Sequence, residues 1–89
     1  MIEVSYTKQF RNTYKRWVRS HPEKALLFTE KILLFSKDPF HKSLSTHKLS
    51  GRLKNLWAFS LEYDLRVLFS FASDSEILIE DIGTHDEVY

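Results

Sequence analysis

The fold is decided by residues 53–82, which read LKNLWAFSLEYDLRVLFSFASDSEILIEDI. Three runs rich in apolar residues alternate here with two short polar segments. The runs are 53–61, 66–71 and 77–82, and the polar segments are 62–64 and 72–75. Asp and Ser in the polar segments favour tight turns. The pattern predicts three strands joined by two hairpins, which pair as an antiparallel sheet.

The preceding part of the chain is predicted to supply one strand and two helices. Residues 2–6 alternate between apolar and polar side chains, as in a short strand. Thr7 is a suitable N-cap for a helix. The apolar residues that follow have the spacing of one helical face: Phe10, Tyr14, Trp17 and Val18. Residues 20–23, SHPE, match a capping box with proline in the first turn, so a second helix is expected from there to about Lys37.

These elements predict a single α+β domain over residues 1–89, in the order β-α-α-β-β-β. Only two or three residues separate the helices, so we expect an antiparallel helical hairpin packed on one face of a small antiparallel sheet. Trp57 and Phe59 alternate with polar or small neighbours and are interpreted as core residues. The other face of the sheet is expected to be open, at least in part, and to carry the function.

The composition favours a soluble protein of the cytoplasm. No run approaches the roughly 18 to 20 apolar residues of a membrane span, and the first residues lack the pattern of a signal peptide. The absence of cysteine excludes disulfides and thiolate metal sites. Residues 1–54 carry 12 Lys/Arg and 4 Asp/Glu, whereas residues 55–89 carry 1 Lys/Arg and 8 Asp/Glu. The basic half could follow a phosphate backbone, or the two halves could simply attract each other.

Four histidines are candidates for proton transfer. His21 lies at a predicted helix start and His41 in a polar loop, so both are interpreted as surface residues. His47 opens the basic stretch HKLSGRLK, and His85 follows the last predicted strand. Two imidazoles beside a basic surface suit acid–base chemistry on a phosphodiester. No third ligand at suitable spacing accompanies them, so no metal and no cofactor is predicted.

Asp64 and Arg66 are the remaining candidates for a site. Asp64 falls in the first hairpin turn, where aspartate is also common because it hydrogen-bonds the backbone. Arg66 is the only basic residue after Lys54. Its side chain could extend along apolar surface, pair with an acid such as Glu62 or Asp64, or face a ligand. The residues alone leave these alternatives open.

With these residues in place, the chain resembles the RelE/ParE superfamily of bacterial toxins, and most closely the YafQ-like ribonucleases. The similar segments are HKLSGRLKNLWAFSLEYDLRVLFSF, residues 47–71, and ILIEDIGTHDEVY, residues 77–89. They contain His-x-Leu-Ser-Gly before the second strand, Glu-x-Asp before the third, and Gly-Thr-His with a closing aromatic residue after the fourth. The resemblance covers nearly the whole length. It implies a RelE-like fold and the toxin half of a type II toxin–antitoxin pair.

The resemblance also implies an activity, ribosome-dependent cleavage of messenger RNA in the ribosomal A site. His85 is expected to act as general acid and either His47 or Asp64 as general base, while Arg66 stabilises charge on the phosphate. Further contacts to the substrate are expected from Lys48, Arg52, Lys54 and Tyr89. The expected partners are a cognate antitoxin, which would form a hetero-oligomer with the toxin, and the ribosome with its messenger RNA. No membrane partner is expected.

Two positions differ from the pattern of the YafQ-like sequences. Ser60 stands where that pattern has a further histidine, and Leu65 where it has a tryptophan. These differences keep a second possibility open, a ribosome- or RNA-binding module without catalysis. A third possibility is a ParE-like toxin that inhibits DNA gyrase. The pair His47 and His85 argues against that third possibility, because a binding surface does not require titratable groups.

Overall fold

The computed structural model describes residues 2–89. Its helices and strands follow each other in the order β1 (Glu3–Tyr6), α1 (Lys8–Ser20), α2 (Ala25–Lys37), β2 (His47–Lys48), β3 (Trp57–Glu62), β4 (Leu65–Ser73), β5 (Glu76–Thr84) and α3 (His85–Val88). The predicted α+β class and the order of its six main elements are confirmed. No helix within residues 2–89 is long and apolar enough to cross a membrane.

The sheet has the strand order β1-β5-β4-β3-β2. Strands β3, β4 and β5 form the predicted antiparallel meander. Strand β1, however, pairs with β5 in parallel, with Val4 opposite Ile77, so the sheet is mixed and the prediction of a wholly antiparallel sheet is corrected. Hairpin turns impose antiparallel pairing only on the strands that they join. Because β1 reaches β5 through the two helices and the rest of the sheet, no such constraint applies to it.

The segment before β3 is more ordered than its sequence suggests. The irregular stretch predicted over 38–52 contains the two-residue strand β2 and two short 3-10 turns, Lys42–Leu44 and Gly51–Leu53. Strand β3 therefore begins at Trp57, four residues after the predicted start at Leu53. Gly51 has a φ of 66°, a left-handed conformation that glycine adopts without steric cost.

The predicted capping box at residues 20–23 does not form. Ser20 is the last residue of α1, and the backbone N–H of His21 donates to the carbonyl of Trp17 at 3.0 Å. An N-cap requires extended backbone, which a residue inside a helix does not have. Pro22–Lys24 form a 3-10 turn instead, and α2 begins without a side-chain cap.

Aromatic rings fill the core between the helices and the sheet. Phe35 of α2 stacks on Phe59 of β3 with 4.4 Å between ring centroids, and meets Phe69 of β4 edge-on at 4.8 Å. All three side chains are fully buried. Trp57 is half-buried against the same cluster, so the interpretation of Trp57 and Phe59 as core residues is confirmed.

Two tyrosines at the edge of this core are expected to make the folded state less stable at alkaline pH. The pKa of Tyr6 is raised by burial and further by the neighbouring Tyr14, and the pKa of Tyr14 is raised by burial. The folded state therefore holds these protons at pH values where the unfolded chain releases them. We expect the free energy of unfolding to fall as the pH rises above about 10. Urea unfolding at pH 8 to 11 should show this fall, and a Tyr6→Phe, Tyr14→Phe double variant should reduce it.

Candidate functional site

The open face of the sheet carries the candidate site. Arg66 of β4 lies opposite Ser60 of β3 and Gly83 of β5. Because side chains alternate between the two faces of a sheet, these three positions form one row on the side away from Phe59 and Val67, which are buried beneath the helices. Arg66 therefore lies on the predicted open face, on its middle strand and near the β3–β4 turn.

The C-terminal segment packs against one end of this face as α3. Thr84 and Glu87 form a capping box: the Thr84 hydroxyl accepts from the Glu87 N–H at 3.4 Å, and the Glu87 carboxylate accepts from the Thr84 N–H at 2.7 Å. Gly83 is paired within β5 and buried. A Cβ at this position would lie 3.1 Å from the Val88 side chain and 3.0 to 3.1 Å from that of Glu87. Glycine therefore allows α3 to approach the strand closely.

Tyr89 links the candidate proton donor to the candidate arginine. The rings of His85 and Tyr89 meet edge-on with 4.4 Å between centroids. The Tyr89 hydroxyl is buried and has no hydrogen-bond partner within residues 2–89. Burial raises the pKa of Tyr89, and the nearby Arg66 guanidinium opposes that rise. Arg52 donates from Nη2 to the backbone oxygen of Tyr89 at 2.5 Å, so His85, Tyr89, Arg66 and Arg52 form one cluster.

Asp64 joins this cluster from the hairpin turn between β3 and β4. Its backbone is left-handed, with a φ of 58°, and its Oδ1 accepts from the backbone N–H of His85 at 3.4 Å. His85 Nδ1 lies 3.7 Å from Asp86 Oδ1. That separation exceeds hydrogen-bond length, so the exposed His85 ring can present either nitrogen to a substrate. Among residues 2–89, the Arg66 guanidinium donates to the Glu62 carbonyl at 3.5 Å, lies close enough to the Tyr89 hydroxyl to lower its pKa, and forms no ion pair with Asp64 or Glu62.

His47 lies on the same face but apart from this cluster. His47 pairs with Ala58 of β3, and Ser60, two residues further along β3, pairs with Arg66. Two strand spacings and the rise of two residues therefore separate the Cα atoms of His47 and Arg66, a distance of about 12 Å. Its Nδ1 is 2.9 Å from the Ser45 carbonyl. Because a carbonyl can only accept, this nitrogen carries the proton and Nε2 is free to accept one.

The two remaining residues predicted to contact the substrate, Lys48 and Lys54, lie in different places. Lys48 pairs with Trp57, a core residue, so its side chain points to the face opposite that of His47. Lys54 is exposed beside the 3-10 turn that carries Arg52. Among residues 2–89, no group of three or more His, Cys, Asp or Glu is arranged to hold a metal ion.

Two features of the site were missed by the sequence reasoning. Glu87 closes the capping box of α3 and is not among the site residues predicted from the sequence. The spacing Thr84-x-x-Glu87 is the usual signature of such a box and was the available signal. Tyr63, beside Asp64, has 98% of its surface exposed. No sequence signal identifies it, because tyrosine in a turn can equally fold back on the protein.

Comparisons with known proteins agree with this fold. The structure of YafQ from E. coli has a TM-score of 0.81 at 16% identity, covering 100% of this chain and 99% of that chain. A copper-bound mutant toxin from Helicobacter pylori has a TM-score of 0.79 at 20% identity, covering 100% of both chains. The YafQ of an E. coli DinJ–YafQ complex has a TM-score of 0.74 at 20% identity, covering 100% and 99%. These likenesses establish the fold.

The sequence itself places the chain in a family. No curated protein sequence is a significant match. The family model described as a bacterial toxin of type II toxin-antitoxin system, YafQ, matches residues 2–89. Because this match extends over all but the first residue, the chain belongs to the YafQ family of type II toxin–antitoxin toxins.

Proposed function

We propose that the protein is a ribosome-dependent endoribonuclease that cleaves messenger RNA by acid–base catalysis. The observation that carries this proposal is the cluster at one end of the open face, in which Tyr89 touches the His85 ring and lies beside Arg66. The cluster combines a proton-transfer group and a cation without an acidic partner. Such a pair suits a phosphodiester better than it suits a purely structural role, because Arg66 is left without the ion pair that would satisfy it.

The chemistry is an in-line attack of the ribose 2′ oxygen on the adjacent phosphorus. A base removes the 2′-hydroxyl proton, the new O–P bond forms, and the bond from phosphorus to the 5′ oxygen breaks. His85 gives its proton to the departing 5′ oxygen, which leaves a 2′,3′-cyclic phosphate. Arg66 stabilises the charge that builds on the non-bridging oxygens.

In-line geometry favours His47 over Asp64 as the base. The attacking and leaving oxygens lie on opposite sides of phosphorus, so the base and the acid must approach from opposite sides. Asp64 accepts from the backbone of His85 and is on the same side as the acid. His47 lies across the face with Nε2 free. Asp64 then orients the segment that carries His85.

The solvent-facing side of α1 is suited to hold ribosomal RNA. Its exposed side chains form a basic stripe without any acidic residue in the helix: Lys8, Arg11, Lys15, Arg16 and Arg19. None of the five forms an ion pair with a residue among 2–89. A row of free cations matches the repeated negative charge of a nucleic-acid backbone. Lys54 and Arg52 extend the positive charge beside the open face.

Neutralising part of this stripe should weaken binding in a salt-dependent way. We expect Lys15→Gln, Arg19→Gln to lower the affinity for ribosomes and to reduce the slope of log affinity against log salt by roughly 1 to 2. Sedimentation with ribosomes at 50 to 300 mM KCl measures both quantities. Lys37→Gln, on the exposed end of α2, is the matched control and should leave the slope unchanged. An equal effect of both variants would contradict the assignment of the stripe.

An antitoxin is the proposed regulatory partner. The E. coli relative has been seen in a complex with DinJ, and a free nuclease of this kind requires restraint. The acidic groups of an antitoxin could cover the open face by pairing with Arg52 and Arg66. The protein would act in the cytoplasm, where ribosomes and messenger RNA are found.

Mapping of messenger RNA 5′ ends after induced expression tests the proposal. Cuts in register with codons are expected. Intact transcripts with ribosomes bound would instead support a non-catalytic binding module. That second candidate is favoured by Ser60, which lies beside Arg66 where a proton-transferring ring would fit. Intact transcripts with DNA damage would support inhibition of gyrase.

A further inference from the structure

A second concave site lies at the hairpin end of the sheet, on the helix side of Asp64. It is a cavity of about 340 Å³ between the end of α1, the β3–β4 turn and the start of α3. Sites of about 300 to 1,000 Å³ are typical for small ligands. None of the proposed catalytic steps uses this cavity, although Asp64 lines it and also contacts His85.

Aromatic rings line one side of the cavity. The His21 ring stacks on the Trp17 indole with 5.3 Å between centroids and 26° between planes. Tyr63, the most exposed of the large apolar side chains of the described chain, borders the same space. A tyrosine ring this exposed to water gains little stabilisation from packing, whereas a flat ligand stacked on the ring would cover it. The exposed Tyr63 ring therefore offers a flat face on which a planar group can stack.

The polar groups of the cavity are mainly acceptors. His21 Nδ1 is 3.0 Å from the Trp17 carbonyl, so this nitrogen carries the proton and Nε2 is an acceptor. Asp64 and Glu87 contribute carboxylates that form no ion pair with a cation among residues 2–89. One oxygen of each accepts a backbone N–H, from His85 and Thr84 respectively, which leaves the second oxygen as a further acceptor. The Glu62 carboxylate is paired with Lys24, so it adds little net charge. The cavity thus repels phosphate and accepts hydrogen bonds from a planar donor.

We infer that this cavity is a subsite for one nucleobase of the RNA, and that it prefers the amino-bearing bases cytosine, adenine and guanine over uracil. The inference rests on the proposed function, because the RNA backbone must cross the Arg66 cluster. Asp64 lines the cavity and also accepts from the backbone of His85, so the cavity adjoins the proposed catalytic cluster and is placed to receive a base next to the cleaved phosphate. Carboxylates accept from the exocyclic amino groups of cytosine, adenine and guanine, whereas uracil has no amino group and carries a carbonyl oxygen where cytosine has its amino group.

Binding of free nucleosides to the isolated protein tests the subsite without requiring cleavage. We expect cytidine and adenosine to shift the NMR signals of the Trp17 indole and of the 62–65 amides, with affinities about fivefold or more above that of uridine. Tyr63→Ala should weaken cytidine binding about tenfold, since stacking on one ring is lost. Tyr63→Phe keeps the ring and should keep the affinity.

The outcomes separate this inference from the proposed function. Equal binding of cytidine and uridine would overturn the inference, even if the protein cleaves messenger RNA. The absence of any NMR shift at about 20 mM nucleoside would also overturn it, because a specific subsite should bind at that concentration. Tighter binding of N-acetylarginine amide than of any nucleoside would also overturn it, and would assign the cavity to an arginine of a protein partner. Selective cytidine binding with uncut transcripts would preserve the inference and remove the proposed nuclease activity.

Discussion

Replacing His85 with alanine is expected to abolish both growth inhibition and cleavage of messenger RNA. A positioned general acid contributes on the order of 10² to 10⁴ in rate. Among residues 2–89, His85 is the imidazole that contacts Tyr89 beside Arg66, whereas the Cα of His47 lies about 12 Å from that of Arg66 across the face. The side chain of His85 is 58% exposed and its ring contacts Tyr89 alone among the aromatic residues. The variant should therefore lose about 1 kcal/mol of stability or less.

Cleavage by purified protein on programmed ribosomes, together with thermal unfolding, measures the two effects separately. His85→Gln keeps a polar side chain without the ability to transfer a proton near neutral pH, so it should show the same loss. His41→Ala is the matched control, because the His41 ring hydrogen-bonds only within its own loop, to Ser43. A fully toxic His85→Ala variant would remove the proposed mechanism.

The local features of the fold were readable from the sequence. Thr7 caps α1 as predicted, with its hydroxyl accepting from the Phe10 N–H at 3.0 Å, and the meander follows the positions of the two polar turns. The parallel partner of β1 was not readable, because Val4 and Ile77 are 73 positions apart and no local rule pairs them. The false capping box at Ser20 has a different cause. The apolar and basic pattern of α1 continues through that residue and overrides the cap preference.

The site was predicted as a set of residue types and not as an arrangement. Gly83, Thr84 and Glu87 determine how α3 packs, and therefore where His85 and Tyr89 lie. These contacts depend on a turn of helix that is only four residues long, too short for a periodic signal. The separation of His47 from Asp64 follows from the register of β2 on β3. Register across a two-residue strand is fixed by packing of the whole sheet, which a sequence pattern does not reveal.

Arg66 is the residue for which a structural role and a functional role predict different results. A structural arginine in a sheet pairs with an acid, and its loss leaves that acid unpaired. Within residues 2–89, Arg66 instead donates to one carbonyl, at 3.5 Å, and lies beside the Tyr89 hydroxyl, whose pKa it lowers. Little stabilisation is visible in these contacts. The guanidinium is held close to the face where a phosphate would lie, with most of its donors free.

Arg66→Gln is accordingly expected to lower the cleavage rate by roughly 10² to 10³, the usual effect of removing one donor that stabilises developing negative charge. Arg66→Lys keeps the charge but not the planar pair of donors, so it should recover part of the rate.

The same variants report on the local electrostatics. Because Arg66 opposes the burial-driven rise in the pKa of Tyr89, Arg66→Gln should raise that pKa further and Arg66→Lys should raise it less. Carbon-13 NMR of labelled tyrosine rings resolves this titration from those of the other tyrosines. A changed Tyr89 pKa with an unchanged cleavage rate would show that Arg66 lies where the structure has it but takes no part in the reaction.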